Sequence, residues 1–217
     1  MLDNINIIER RYKIYDLLSY AFMNEPDEKL LSCIEELNEL FKDVIDEDIN
    51  FIKVIKLEDL IQEYYDRFFV NSSSLYVPPF EAAIRNVKRN NGKVKYGELD
   101  SKDTFHVKTC YEMVNFKPNK LNIFLPLKDN YFPDHIGFEM GFMTFMINKE
   151  FNCLKNGKDD VAKDWRNLQK QFLKDHLLTW IGDYAKLSSE KAKGLYSYLA
   201  NLSATWIDLD FEYISEE

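Results

Sequence analysis

Apolar residues recur along this chain at three- and four-residue spacing in one segment after another, and that period commits it to helices. Between Ile5 and Met23, residues Ile7, Ile8, Tyr12, Tyr15, Leu18 and Phe22 fall on one helical stripe. Leu30, Leu31, Ile34, Leu37, Leu40, Phe41, Val44 and Ile45 repeat the pattern over 27–45, with acidic residues opposite. The competing architecture is starved of material. Val (9) and Thr (5) are scarce, so a sheet would lack its favoured β-branched residues, and Gly (7) and Pro (6) are too few to punctuate many turns.

The expected fold is an all-α helical bundle of about nine or ten helices. Asn24-Glu25-Pro26 ends the first helix, and Pro26 is placed to open the second. A third helix is expected over 57–70, a short one over 80–88, and another over 102–116. Asn90-Asn91-Gly92 reads as a turn. Three prolines, Pro118, Pro126 and Pro133, lie in an aperiodic stretch and mark a linker or hinge. The chain thus divides into an N-terminal helical part (1–117), the linker (118–133) and a C-terminal helical part (134–217). After Pro133, Asp134 is expected to cap a helix that is apolar nearly all round from Ile136 to Phe151, and therefore central. Gly137 and Gly141 share one face of it, where close approach of another backbone is expected. Helices over 159–175, 177–187 and 190–208 complete the set.

Charge and composition exclude several functions. No apolar run approaches the ~18–20 residues of a membrane span. Met1-Leu2-Asp3-Asn4 lacks the basic-then-apolar opening of a secretory leader, so the reading is cytosolic. A net charge of −9 argues against non-specific nucleic-acid binding. The charge is uneven: 13 acidic against 4 basic residues over 27–66, then 9 basic against 4 acidic over 85–120. Cys33, Cys110 and Cys153 form no Cys-x-x-Cys pair and read as small buried hydrophobes.

Few motifs carry chemistry. Gly92 and Gly97 have the spacing of a phosphate loop, but Glu98-Leu99 replace its Lys-Ser/Thr. No G-x-G-x-x-G or G-x-S-x-G occurs. Asp134, His135 and Glu139 group on one helix start, either as a hydrogen-bonded Asp-His pair or as part of a metal site in a metal-dependent hydrolase. His106 and His176, each lone near an apolar face, read as structural. Tyr76-Val77-Pro78-Pro79-Phe80-Glu81 sets aromatics around a stiff Pro-Pro; it reads either as a lid over the core or as a peptide contact.

Three segments carry a resemblance. They are Tyr65-x-x-Phe68-Phe69 with Leu75-Tyr76-Val77-Pro78-Pro79-Phe80-Glu81, then Pro133-Asp134-His135-Ile136-Gly137-Phe138-Glu139-Met140-Gly141-Phe142-Met143, and finally Phe172-Leu173-x-x-His176-Leu177-x-x-Trp180 with Leu195-Tyr196-x-x-Leu199-Ala200-x-Leu202. In order and spacing the chain resembles the TorD/DmsD/NarJ family of molybdoenzyme-specific chaperones, or redox enzyme maturation proteins. Ala82 stands where that family commonly has Ser, and 85–130 is longer and more basic than its pattern. The resemblance implies a TorD-like all-α fold with a hinge before the P-D-H helix. It implies a cytoplasmic, non-enzymatic chaperone, monomeric or a domain-swapped homodimer. Its partner would be an apo-molybdoenzyme oxidoreductase bearing a twin-arginine signal peptide, held back from export until its cofactor is inserted. A NarJ-like role for a non-exported subunit is the alternative within the family. No cofactor is implied beyond weak GTP binding suspected in a few members.

Chemistry suggests how such a peptide would be held. Guanidinium groups pair bidentately with carboxylates, and Glu81, Asp134 and Glu139 are the candidate acceptors. Tyr76, Phe80 and Phe138 would receive the apolar stretch or stack on arginine. Pro78, Pro79 and Pro133 would hold the loops in shape. His135 would orient Asp134 and modulate binding by titrating near neutrality.

Overall fold

The computed structural model describes residues 2–41, 56–129 and 131–216. Within them lie ten α-helices: α1 (Leu2–Met23), α2 (Glu28–Phe41), α3 (Leu57–Phe68), α4 (Glu81–Arg85), α5 (Lys102–Met113), α6 (Leu125–Asp129), α7 (Ile136–Lys155), α8 (Asp159–Asp175), α9 (Ile181–Lys191) and α10 (Leu195–Glu216). The expected extension of the second helix to Ile45 lies outside the described residues. No described helix is long and apolar enough to cross a membrane.

The all-α expectation holds, with one addition. Lys88–Asn90 (β1) pairs antiparallel with Lys93–Lys95 (β2), Arg89 opposite Val94. The two-residue turn between them is Asn91-Gly92, both at positive φ (48° and 76°), as the mirror-image hairpin turns require. The helix expected over 80–88 therefore stops at Arg85. Pro26 does not open α2; Asp27 caps it, its Oδ1 accepting from Leu30 N–H at 2.7 Å. Ser101 caps α5 by accepting from Asp103 N–H, and Asn115, at φ 57°, ends its run after Met113. A 3-10 turn at Leu177–Thr179 delays α9 to Ile181, and α10 continues to Glu216.

The apolar helix α7 is central. One core cluster joins side chains from α1, α2, α3, α5, α7, α8, α9 and α10, including Phe22, Tyr64, Phe142, Leu173, Trp180 and Leu199. Helix α7 packs chiefly on α1 and α8, and α9 packs on α10. The glycines of α7 make the α1 crossing close. Ser19 Oγ donates to Gly137 O at 2.9 Å, and a methyl on Gly141 would meet Leu121 Cδ1 at 2.7 Å and Ser19 Oγ at 3.0 Å. The atoms a methyl would meet at Gly137 and Gly141 are side-chain atoms, not the backbone of another segment that the sequence led us to expect. A methyl on Gly137 would run into Met23 Cγ, and Met23 is itself buried. We expect Gly137→Ala to lower unfolding free energy in urea by about 1–2 kcal/mol, because overpacking outweighs the ~1 kcal/mol of helix propensity it adds.

The cysteines depart from expectation. Cys33, Cys110 and Cys153 are free thiols, and each is partly exposed instead of buried.

Candidate functional site

Val77, Pro78 and Pro79 run extended and buried into α4. Proline fixes φ and removes a donor but keeps its carbonyl, and Pro79 O accepts from Ile136 N–H at 2.9 Å. Two residues on, Glu81 N–H donates to Asp134 O at 3.0 Å, so Phe80 and His135 form an antiparallel bridge. Two segments over fifty residues apart are stitched backbone to backbone. Tyr111 adds a third strut, its hydroxyl donating to Pro133 O at 2.9 Å.

Asp134 does not cap its own helix. Its Oδ2 accepts from Ala82 N–H at 2.9 Å and from Thr104 Oγ1 at 3.2 Å, so it caps α4 from across the chain. A carboxylate at a helix start is favourable. Burial nevertheless pushes Asp134 up to about 6, with Glu81 adding like-charge repulsion against the two hydrogen bonds. Its Oδ1 is buried without a partner.

His135 takes the capping position of α7 instead, its Nδ1 accepting from Gly137 N–H at 3.1 Å. That bond needs Nδ1 unprotonated, which leaves the ring proton on Nε2. This nitrogen has no partner and lies among the Phe80 and Phe138 rings, at centroid distances of 5.3 and 5.8 Å. Burial lowers His135 to about 3. The sequence expectation is corrected on both counts: His135 does not orient Asp134, and it does not titrate near neutrality. Among the described residues, the group whose ligand atoms lie together is His106, Cys110 and His176, and not Asp134, His135 and Glu139.

Glu81 and Glu139 are both fully buried. Glu81 accepts from Arg85 Nη1 at 2.6 Å and from His176 Nδ1 at 2.8 Å. Glu139 Oε2 accepts from Trp180 Nε1 at 3.1 Å. Glu139 Oε1 is buried without a hydrogen-bond partner, and Glu81 stands by it as a like-charged neighbour. Burial, with Glu81 and Asp134 as like-charged neighbours, pushes Glu139 well above the usual carboxylate range. Burial also disfavours the charge on Glu81, but His176 and Arg85 outweigh that and hold it below the usual carboxylate range. For His176, burial works against protonation, while hydrogen bonds to Cys110 and Glu81 raise it to about 9. Arg85 and His176 thus both bond to Glu81 from opposite ends of the node's sequence range.

The residues singled out in the sequence are not equally placed. Glu81, Asp134, His135, Phe138 and Glu139 come together, with Pro78, Pro79 and Pro133 buried around them. Phe80 is half-buried against Phe132 and His135. Tyr76 lies apart, packed edge-on against Tyr96, whose hydroxyl donates to Tyr76 O. Sequence reasoning missed the node's other members. Thr104 and Arg85 bind its carboxylates, and His176 and Trp180 tie the third motif to the first two. The i,i+4 spacing of Glu81 and Arg85 was an available signal. The contacts from His176 and Trp180 span 95 and 41 residues and had no local one.

The hydrogen-bonded centre of this mostly helical chain joins three segments that lie far apart in sequence. The sequence profile of the nitrate reductase delta subunit family matches residues 24–186, about three quarters of the chain. The chain belongs to that family, the NarJ/delta group of redox enzyme maturation chaperones. A crystal structure of a proposed redox enzyme maturation protein from Archaeoglobus fulgidus aligns over 91% of this chain and 93% of that one, at 18% identity and a TM-score of 0.47. A comparison with curated protein sequences gives no match.

Proposed function

We propose that this chain is a cytoplasmic chaperone that binds the N-terminal signal segment of a molybdenum-cofactor oxidoreductase and holds the apoenzyme for cofactor insertion. The observation that supports this reading most is the meeting of the three family-like segments at one node, within a chain that belongs to the family. The twin-arginine form of the segment is the finer part of the proposal. It rests on chemistry. Asp134 Oδ1 is a buried acceptor without a donor, and the ionised carboxylate is costly where it stands. A guanidinium reaching it would satisfy the oxygen and offset the charge. Tyr131 and Phe105 are exposed aromatics, 40% and 69% accessible, and offer faces to an apolar or cationic segment.

The test is fluorescence anisotropy with a labelled peptide that carries two adjacent arginines followed by an apolar stretch. We expect Asp134→Asn to weaken binding about tenfold or more while the circular dichroism and melting temperature at pH 7 are kept or improved. Asparagine retains an acceptor for Ala82 N–H and removes only the charge. Equal affinity for the parent and the variant would remove Asp134 from the binding surface. A substituted peptide with two glutamines in place of the arginines should bind at least tenfold more weakly than the arginine form, and equal binding of the two would contradict the twin-arginine reading.

A further inference from the structure

Beside the carboxylate node, and sharing His176 with it, three side chains converge with ligand chemistry. His106 and Cys110 stand four apart on α5, and His176 follows α8. Their ligand atoms all lie within 4.8 Å of one another. His106 Nδ1 is 2.8 Å from His176 Nε2, and Cys110 Sγ is 3.9 Å from the same nitrogen. The imidazole planes are 24° apart with centroids at 4.9 Å, much farther than the nitrogens, so the rings meet edge to edge and not face to face. At 2.8 Å the two nitrogens share a hydrogen bond, and an ion binding there would displace its proton.

We propose that His106, Cys110 and His176 form a binding site for a divalent cation of the zinc class. Imidazole and thiolate together select such borderline-soft ions over magnesium or calcium. Bond lengths of about 2.0–2.1 Å to nitrogen and about 2.3 Å to sulfur place tetrahedral ligands roughly 3.3 Å (N···N) and 3.6 Å (N···S) apart. The observed 2.8 and 3.9 Å differ from these by about half an ångström or less. His106 is exposed and Cys110 partly so, which leaves room for both to adjust. His176 is already oriented for the role. Its Nδ1 is held by Glu81 at 2.8 Å, the carboxylate–histidine arrangement that fixes ring and tautomer in metal sites and leaves Nε2 to the ion.

Three protein ligands leave the fourth position open. It faces a cavity of about 100 Å³ walled by Met113, Phe142, Met146 and Phe172, with Asp175 and Gln171 at its edge. A site of that form holds an exchangeable fourth ligand, water or an incoming donor, and clamps α5 to the end of α8. The site shares His176 with the carboxylate node, but its test reads metal uptake and not peptide binding.

The test is competition of the purified, metal-stripped chain against a chromophoric zinc chelator, with cobalt as the spectroscopic probe. The parent is expected to take up one equivalent of zinc, to melt at a higher temperature with it, and to show thiolate-to-cobalt absorption. His106→Ala and Cys110→Ser, both on an accessible face of α5, should fold and lose more than the about 10–100-fold in affinity that removal of an outer partner costs. Cys110→Ser should also lose the thiolate band. Cys33→Ser and Cys153→Ser should bind as the parent does. Failure of the parent to bind one equivalent, or parental affinity in Cys110→Ser and His106→Ala, would overturn the proposal.

Discussion

Arg11→Met is expected to destabilise this chain by about 3–5 kcal/mol, the range for leaving a buried charge without its partner. Arg11 is 1% exposed and sits between four helices. Its Nε and Nη2 grip Asp210 of α10 at 2.5 and 3.1 Å, Nη2 also donates to Gln169 of α8 at 2.7 Å, and Nη1 lies 3.5 Å from Glu150 of α7. Tyr15 donates to Asp210 at 2.9 Å, Gln169 to Glu150 at 2.8 Å, and Arg166 pairs with Glu150 at 2.6 Å. Two cations thus face two anions, and removing one leaves Asp210 buried and unpaired. For a chain of this size the melting temperature should fall by roughly 6–20 °C at 2–4 °C per kcal/mol. Pairing the change with Asp210→Asn should recover part of the loss. A melt within 2 °C of the parent would show that the network contributes little.

The second large effect is a pH dependence that is hidden in the parent. His135 is lowered to about 3 from 6.5. The unfolded chain therefore binds its proton first, and stability is lost as pH falls below about 6.5. Asp134 is raised to about 6 from 3.8. Here the folded chain holds the proton longer, so stability is gained as pH falls from about 6 toward 4 and is lost on the way back up. Between pH 7 and pH 4, at 1.36 kcal/mol per unit, His135 costs about 3 kcal/mol and Asp134 returns nearly as much. Glu139, raised well up, acts in the same direction as Asp134. Asp134→Asn should uncover the histidine. Its unfolding free energy is expected to drop by about 3 kcal/mol more than that of the parent over this interval, measured by urea unfolding at each pH. His135→Asn, combined with it, should flatten the profile. Parallel profiles for the parent and Asp134→Asn would contradict the assignment of Asp134.

How much of this was legible in the sequence depends on range. Helices announced themselves through period, and α7 through being apolar all round. The hairpin was legible only as its Asn91-Gly92 turn, because its strands have three residues each and stand largely in solvent. Arg11 carried a signal that reading for apolar stripes passes over. It falls on the face of Ile8, Tyr15, Leu18 and Phe22, where a cation demands a buried partner. Asp210 and Glu150 interrupt the stripes of α10 and α7 in the same way. The roles of Asp134 and His135 were adjacent in sequence and easily exchanged. Which of two neighbours caps its own helix depends on whether another helix start, here that of α4, competes for the carboxylate. His106 and Cys110 were legible as an i,i+4 pair, but their third member arrives 66 residues later through tertiary packing.

The most direct test of the chaperone account is capture by the tagged chain from source cells that express a molybdenum-cofactor oxidoreductase, with and without that enzyme's N-terminal segment. The account predicts retention of the cofactor-free enzyme in its full-length form, and loss of retention when the segment is deleted. Absence of any molybdenum oxidoreductase from the captured material, in cells shown to contain one, would contradict it.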